Sequence, residues 1–263
     1  MHSVFYNIMP ITCVTAFYNI GREGVDGRSV SEYKAWLYRT LVTVRDPFVV
    51  YLDKSLGWKS EILALRGDLD VVETDLNEIP MWKYRDTIAN ILLDPTFKAT
   101  LRHPRDITNL LPEYCTVQYS KFGWLEAAIA RNPFGTSHFA WLDAGSSRFY
   151  DTRRAYISRP GLADTFYIEV NSSRNRLGTF YPDSYIGTCE CVLHGTMWVM
   201  TPRAFFVVRD EVMRIFHDEM IAKRRIDNEQ IAIVLAYPVV KNSMTLVDAR
   251  GSHGSMFFGH IFM

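Results

Sequence analysis

Residues 138–148 read HFAWLDAGSSR, an apolar run that meets one carboxylate and then breaks into small residues. The run FAWL has the composition of a buried strand, and Asp143 stands at its carboxyl end. Ligands of open α/β sheets bind beyond the carboxyl ends of the strands, so an acid followed by Gly145 and Ser146 is well placed for a metal or a polar ligand. A solvated aspartate in an ordinary strand-end turn explains the same residues equally well.

The N-terminal part of the chain predicts further elements of the same sheet. Residues 11–17 (ITCVTAF) form a β-branched run typical of a buried central strand. Ser29 followed by Glu32 matches a capping box and predicts a helix. The next apolar run, residues 48–52, ends on Asp53 much as the opening stretch ends on Asp143. The order strand, helix, strand predicts an α/β fold with a mostly parallel central sheet flanked by helices.

Later segments predict a less regular second half. Ser120 is expected to cap a helix that ends before Pro133, and this helix leads into the strand at Asp143. Residues 164–171, 190–200 and 244–247 have strand patterns, and Thr201 with Pro202 predicts the start of a long helix. Asp227, with Gln230 three residues on, is expected to cap one more helix.

Composition limits the classes of protein to which this chain belongs. Its 263 residues are 48% apolar, which excludes a disordered chain, and its 29 basic and 29 acidic residues leave no global charge to attract nucleic acid. The N-terminus has no cationic region before its apolar part, so we expect no signal peptide, no membrane-spanning helix and a cytoplasmic location. The four cysteines are too sparse for a disulfide scaffold and are expected to be reduced.

Two segments make the chain resemble a known family. TAFYNIGR (residues 15–22) and NPFGTSHFAWLDAG (residues 132–145) look like the HtrL/YibB family of glycosyltransferases, and similar proteins are encoded by large algal viruses. The order of segments resembles the GT-A fold. The resemblance implies one Rossmann-like GT-A domain over residues 1–263, with a nucleotide-sugar half at about 1–148 and an acceptor half at about 149–263.

The resemblance also implies a divalent cation, Mn²⁺ or Mg²⁺, on the donor diphosphate. Asp143 is the expected ligand, although GT-A enzymes usually present Asp-x-Asp where this chain has Asp-Ala-Gly. A late histidine commonly completes such sites, which points to His253, and an exposed tail histidine is the alternative. Asp68 and Asp70 form a literal Asp-x-Asp, but they precede a strand, so we expect a solvated turn there.

The nucleotide-sugar site is expected to draw on the ends of several elements. The backbone at residues 15–17 would meet the base, Arg22 would pair with a phosphate, and Lys121 would do so from a helix N-terminus. Solvent exposure is the alternative for each basic residue. The full set of expected donor-binding residues is Thr15, Ala16, Phe17, Arg22, Asp53, Arg66, Lys121, Asp143 and Gly195, with Arg66 as a candidate for the base pocket. His194 is either a sugar contact or a half-buried strand histidine, and the sequence favours neither.

An inverting transferase needs a general base for the acceptor hydroxyl, and residues 227–230 (DNEQ) offer Asp227 and Glu229. The oxygens of Asp227 are expected to be occupied by backbone N–H groups, which makes Glu229 the better base. A carboxylate that only complements the helix dipole is the alternative reading of Glu229.

The sequence therefore predicts a glycosyltransferase that moves a sugar from a UDP-sugar, such as UDP-xylose or a UDP-hexose, to a glycan or glycoprotein hydroxyl. The alternative from another class is a catalytically silent protein that binds sugar nucleotide or glycan. A metal-dependent hydrolase or nucleotidyltransferase on the same sheet would need a second carboxylate cluster near Asp143, and the sequence shows none.

Overall fold

The computed structural model describes residues 11–171, 177, 181–250 and 254–263. Within these residues, seven strands form one sheet in the order β3-β2-β1-β4-β6-β5-β7. The strands are β1 (Thr12–Phe17), β2 (Phe48–Asp53), β3 (Leu69–Thr74), β4 (Phe139–Leu142), β5 (Phe166–Val170), β6 (Leu193–Met200) and β7 (Met244–Asp248).

Most of the strand pairings are parallel. β1 pairs in parallel with β2 and β4, β2 with β3, and β5 with β7, whereas β6 runs antiparallel to both of its neighbours. This arrangement confirms the predicted α/β fold with a mostly parallel sheet. The chain moves outward from β1 to β3 and then returns to β4 on the other side of β1. The carboxyl ends of β1 and β4 therefore form a switch point, where sheets of this kind leave a crevice.

Helices cover the sheet in the described ranges. They are α1 (Glu23–Asp26), α2 (Val30–Thr43), α3 (Lys59–Leu63), α4 (Arg85–Leu93), α5 (Pro95–Lys98), α6 (Pro112–Arg131), α7 (Pro182–Tyr185), α8 (Pro202–Ile215), α9 (Glu229–Val240) and α10 (Ser255–Ile261). None of these helices is long and apolar enough to cross a membrane. The predicted capping box of Ser29 and Glu32 begins α2, and Thr201 caps α8 as predicted.

The two faces of the sheet bury separate apolar cores. Val14 and Val49 face a core that includes buried residues of α4, α6, α8 and α9. Their strand neighbours Cys13 and Val50 face the other core, with buried residues of α2, α3 and α10. Burial on both faces explains why β1 and β2 read as continuous apolar runs instead of alternating patterns.

Two helix starts differ from the sequence prediction. Helix α6 begins at Pro112, not at Ser120, so Lys121 lies in the middle of a 20-residue helix instead of at an N-terminus. Helix α9 is capped by Asn228, whose side chain accepts from the backbone N–H groups of Gln230 and Ile231, and not by Asp227. In both cases another residue supplied the stronger local start signal: proline at the first helical position of α6 and asparagine at the cap of α9.

Strand β6 contains an irregularity that shapes the switch point. Ile168 of β5 pairs with Trp198, but the next residue, Glu169, pairs with His194. Residues 195–197 therefore have no partner on β5. The shift leaves backbone groups of Gly195 available to side chains from the helices above the sheet.

Candidate active site

A pocket of about 430 Å³ lies at the switch point. Its walls come from the carboxyl ends of β1 and β4, the irregular part of β6, one face of α6, the first turn of α9 and the loops after β1 and β4. The volume falls within the roughly 300–1,000 Å³ typical of small-molecule sites. The opening stretch, residues 138–148, thus ends at the pocket, with Asp143 in its wall.

One face of α6 forms a long side of the pocket. Tyr114, Val117, Gln118 and Lys121 all line it, and their spacing places them along a single helical stripe. Lys121 is the deepest of them and is only 2% exposed. A helix interior therefore carries a cation toward the carboxyl ends of the strands.

The Lys121 ammonium joins three elements of the site. Its Nζ donates to Glu229 Oε1 at 2.7 Å and to the Gly195 carbonyl oxygen at 3.0 Å, and it lies 3.0 Å from Asp143 Oδ1. Burial lowers the pKa of Lys121, but the two carboxylates more than compensate and raise it above its usual value. Lys121, Asp143 and Glu229, which we call the charged triad, thus hold one ammonium between two carboxylates.

Glu229 differs from Asp143 because its second carboxylate oxygen is buried and has no hydrogen-bond partner among the described residues. The side chain is fully buried, and Oε2 has no hydrogen-bond partner within the described parts of the chain. Burial raises the pKa of Glu229, while Lys121 opposes that shift. A buried carboxylate oxygen without a partner is costly in a folded protein, so this atom is a candidate for a ligand contact.

Gly195 leaves the space that Glu229 occupies. A Cβ built on Gly195 would overlap Glu229 Oε1, and it would also crowd the Gln230 side chain. The Gly195 N–H donates to Gln230 Oε1 at 3.1 Å, and its carbonyl accepts from Lys121. The irregularity in β6 and the missing side chain together allow α9 to bring its first turn against the strand.

Asp143 is held by its neighbours through one oxygen. Trp141 Nε1 donates to Oδ1 at 2.6 Å, and Lys121 contacts the same atom. Glu229 is the other carboxylate of the pocket, and it pairs with the same ammonium. No group of three or more His, Cys, Asp or Glu side chains that could hold a metal occurs among the described residues. Mn²⁺ and Mg²⁺ prefer several oxygen ligands. Two carboxylates that are both paired with one ammonium therefore form a poor site for either cation.

The predicted metal partner His253 lies outside the described residues, so that part of the prediction stays untested. His194, which the sequence left open between a sugar contact and a half-buried strand residue, does not line the pocket. It is buried in β6, and its Nδ1 contacts Glu169, which also accepts from the backbone N–H of Gly254 at the start of α10.

Seven of the predicted site residues come together in the pocket wall. They are Ala16, Phe17, Arg22, Lys121, Asp143, Gly195 and Glu229. Thr15 does not line the pocket, because its side chain is fully buried within β1. The Phe17 ring stacks between Tyr33 and Trp58, at centroid distances of 4.9 and 5.4 Å.

The structure places Asp53 and Arg66 elsewhere. Asp53 is buried, and its oxygens accept from the backbone N–H groups of Asn19 and Ser55, so it shapes the loop after β1. Arg66 lies before β3, at the opposite edge of the sheet, where it pairs with Asp68 and donates to carbonyls at the end of α2, including that of Leu41. Arg66 therefore does not line the pocket, and the structure does not bring it together with the other residues predicted to bind the donor.

The literal Asp-x-Asp at Asp68 and Asp70 also lies at that opposite edge, but only Asp68 precedes the strand, because Asp70 is the second residue of β3. Asp68 pairs with Arg66 and Asp70 pairs with Arg131. These aspartates are occupied in local ion pairs far from the carboxyl ends of the strands.

Asp227 does not line the pocket either. Its Oδ2 accepts from the backbone N–H groups of Gly187 and Cys189, and its Oδ1 accepts from that of Asn228. Burial raises the pKa of Asp227 to about 7, and the three backbone donors oppose that shift. The prediction that backbone N–H groups occupy the Asp227 oxygens is confirmed, although most of the donors belong to the loop after α7 and not to the helix start. The position of Asp227 outside the pocket gives no geometric support for a catalytic role.

Sequence reasoning missed several pocket residues. Arg28 and Arg148 reach the rim, and Tyr33, Tyr114 and Gln118 line the walls. A helix start at Pro112 would have revealed the α6 stripe, because Tyr114, Gln118 and Lys121 then recur at helical spacing. Arg148 ends the opening stretch itself, but a lone arginine after a turn carries no signal of its own.

Comparisons with solved structures find remote similarities. The galactosyltransferase LgtC, crystallised in complex with donor and acceptor sugar analogs, aligns over 91% of this chain and 74% of its own, with 9% identity and a TM-score of 0.45. Core-mannan synthase A (CmsA/Ktr4) from Aspergillus fumigatus, in its Mn/GDP form, aligns over 93% and 74%, with 7% identity and a TM-score of 0.48.

Two comparisons were made with the sequence of the chain, one with curated proteins and one with protein families. No curated protein matches the chain. The family described as "Bacterial protein of unknown function (HtrL_YibB)" matches residues 9–258, which is nearly the whole chain. The predicted resemblance is thus confirmed, and the protein belongs to the HtrL_YibB family.

Proposed function

We propose that this protein is an inverting glycosyltransferase that transfers a sugar from a nucleotide-sugar donor to a hydroxyl of a glycan acceptor. The pocket at the β1–β4 switch point supports the proposal, because nucleotides bind at such points in open α/β sheets. The donor is a UDP-sugar, either a hexose or xylose. The nucleotide lies against residues of about 1–148, and residues of about 149–263 contribute to the acceptor side.

The observation that carries the proposal is the unpartnered Oε2 of Glu229. A general base must accept a hydrogen bond from the group that it deprotonates, and Oε2 is a buried acceptor in the pocket wall without a partner among the described residues. Burial raises the pKa of Glu229, so the carboxylate is a stronger base than an exposed glutamate.

The charge of the triad also suits a proton acceptor. One ammonium between two carboxylates leaves one negative charge in a buried site. Uptake of a proton by Glu229 brings the triad to neutrality while the Lys121–Asp143 pair persists. A buried site favours the neutral arrangement, because isolated charges are costly in a low dielectric.

The reaction follows as a single displacement. The acceptor oxygen attacks the anomeric carbon of the donor sugar, and its proton passes to Glu229 Oε2. The bond between the anomeric carbon and the diphosphate oxygen breaks, and the nucleoside diphosphate leaves with the bonding electron pair. The partial positive charge on the anomeric carbon is favoured by the net negative triad.

Incubation of the purified protein with a panel of UDP- and GDP-sugars, with and without simple sugar acceptors, tests the proposal. We expect release of the nucleoside diphosphate from at least one donor, faster with an acceptor present. The alternative, a catalytically silent binding protein, would show a rise in melting temperature with the same donors and no release. That outcome would overturn the assignment as a transferase and leave the pocket as a binding site.

A further inference from the structure

The rim of the pocket carries three guanidinium groups with too few carboxylates to pair them. Arg22, Arg28 and Arg148 all line the pocket. Arg22 pairs with Asp26, and Arg28 Nε lies 3.8 Å from the same carboxylate. Arg22 and Arg28 therefore share one aspartate, and we call Arg22, Arg28 and Arg148 together the arginine rim.

Arg148 is the member of the rim without a carboxylate partner in the described ranges. Its Nε donates to the Gly145 carbonyl at 2.9 Å, and its guanidinium lies 4.5 Å from the Trp36 ring centroid and 5.0 Å from that of Phe149. These contacts fix the plane of the guanidinium and leave its two terminal nitrogens for another acceptor. Partial burial and the nearby Arg28 lower the pKa of Arg148, as expected where positive charge is in excess.

Arg22 is held from several sides. Its Nη1 donates to the Tyr33 hydroxyl at 2.9 Å, and its guanidinium lies 5.0 Å from the Tyr114 ring centroid. Arg22 follows the loop after β1, whereas Arg148 follows the turn after β4. The two groups thus stand on the two sides of the switch point, where a diphosphate would lie between them.

The inner part of the pocket offers little to a divalent cation. Asp143 uses Oδ1 for Lys121 and Trp141, and Glu229 pairs with Lys121. A divalent cation at Asp143 would lie next to the Lys121 ammonium and be repelled by it. Lys121 is already paired with two carboxylates, so the positive charge that this pocket can offer to a phosphate lies on the arginine rim.

We propose that the arginine rim holds the diphosphate of the donor, so that the protein binds nucleoside diphosphates without a divalent cation. Arg148 presents a planar pair of N–H donors that fits two phosphate oxygens, and Arg22 and Arg28 neutralise the remaining charge. This inference rests on the proposed function for the identity of the donor, but it makes a separate claim about how the donor is held.

Isothermal titration with UDP, UMP and uridine tests the claim directly. We expect the Kd for UDP to differ by less than threefold between EDTA and millimolar Mn²⁺. Arg148→Gln should weaken UDP binding about tenfold or more, as expected for the loss of a charged hydrogen-bonding pair, and should leave uridine binding unchanged. Arg148→Lys keeps the positive charge but loses the planar pair of N–H donors. Its Kd for UDP should lie between that of the wild type and that of Arg148→Gln.

Arg203→Gln is the matched control, because Arg203 is an exposed arginine paired with Asp164 and does not line the pocket. It removes the same charge, and we expect UDP affinity to stay at the wild-type value. Melting temperatures of all variants confirm that each one is folded.

The outcomes separate this claim from the proposed function. If UDP binds only with Mn²⁺ and sugar transfer is observed, the arginine rim is not the diphosphate site and the transferase assignment stands. If UDP binds in EDTA and Arg148→Gln abolishes binding, but no sugar is transferred, the rim assignment stands and the transferase assignment fails. Absence of UDP binding under both conditions overturns both.

Discussion

Asp227 and Glu229 lie two residues apart, and both are fully buried, but their surroundings differ completely. Asp227 accepts three backbone N–H groups, so both of its oxygens are occupied by the loop that precedes β6 and by the start of α9. Glu229 meets an ammonium on one oxygen and has no partner among the described residues on the other. A satisfied buried carboxylate organises the fold, whereas one with an unused oxygen is available for chemistry.

The largest effect that would test this contrast is on turnover. Glu229→Gln keeps the volume of the side chain but removes its ability to accept a proton. We expect the transfer rate to fall by roughly 10²- to 10⁴-fold, the range typical of a general base. Binding of UDP by calorimetry should remain within a few-fold of wild type.

Glu126→Gln provides the matched control for that measurement. Glu126 lies on the exposed side of α6, where it pairs with Arg209. Its substitution should leave the rate unchanged. Equal rates for Glu229→Gln and wild type would show that the base lies elsewhere.

The next effect concerns stability. Lys121→Met removes the ammonium and leaves Asp143 and Glu229 without their shared partner. Breaking a buried ion pair from one side typically costs about 3–5 kcal/mol, and we expect a loss of that order in urea unfolding. Lys34→Met, which breaks a more exposed pair with Glu61, should change stability little. A similarly small change for Lys121→Met would contradict the buried triad.

A smaller effect is expected at Gly195. In Gly195→Ala the added methyl group would overlap Glu229 Oε1 and force the carboxylate away from Lys121. We expect kcat to fall by about tenfold, because small displacements of a catalytic group are costly. Gly259→Ala is the control, since Gly259 lies in α10 and a Cβ there meets no atom among the described residues. An unchanged kcat in Gly195→Ala would contradict the claim that Gly195 leaves the space in which Glu229 is positioned.

The smallest expected effect is the pH dependence of stability that Asp227 contributes. Burial raises the folded-state pKa of Asp227 to about 7, above the usual 3.8. A raised carboxyl pKa stabilises the fold most below the unfolded pKa, and that contribution is lost as pH rises through 7. Between pH 5 and pH 8, wild type should lose about 1–3 kcal/mol of stability relative to Asp227→Asn. A difference that does not vary with pH would show that Asp227 is ionised throughout this range.

Local signals in the sequence predicted much of the fold. Ser29 with Glu32 and Thr201 with Pro202 marked two helix starts correctly, because capping depends on neighbouring residues alone. The start of α6 was wrong because Ser120 resembles a cap but lies inside the helix, where its hydroxyl donates to the Thr116 carbonyl. Serine occurs both at helix caps and in helix interiors, so the residue type alone did not distinguish the two positions.

The site was harder to predict, because its central contacts join distant parts of the chain. Lys121 and Glu229 are 108 residues apart, and their pairing depends on the packing of α6, β6 and α9. Sequence identified Glu229 and Asp143 as candidates from their places at element ends, but it had no means to show that one lysine lies between them. Arg66 shows the converse case, where a basic residue near a predicted strand proved to be part of the opposite edge.

The anomeric configuration of the transfer product tests the account most directly. Donor and acceptor, incubated with the enzyme and followed by proton NMR, report whether the new glycosidic bond has the configuration opposite to that of the donor. The single displacement with Glu229 as base requires inversion. Retention of configuration would contradict it, because a single displacement at the anomeric carbon inverts the configuration.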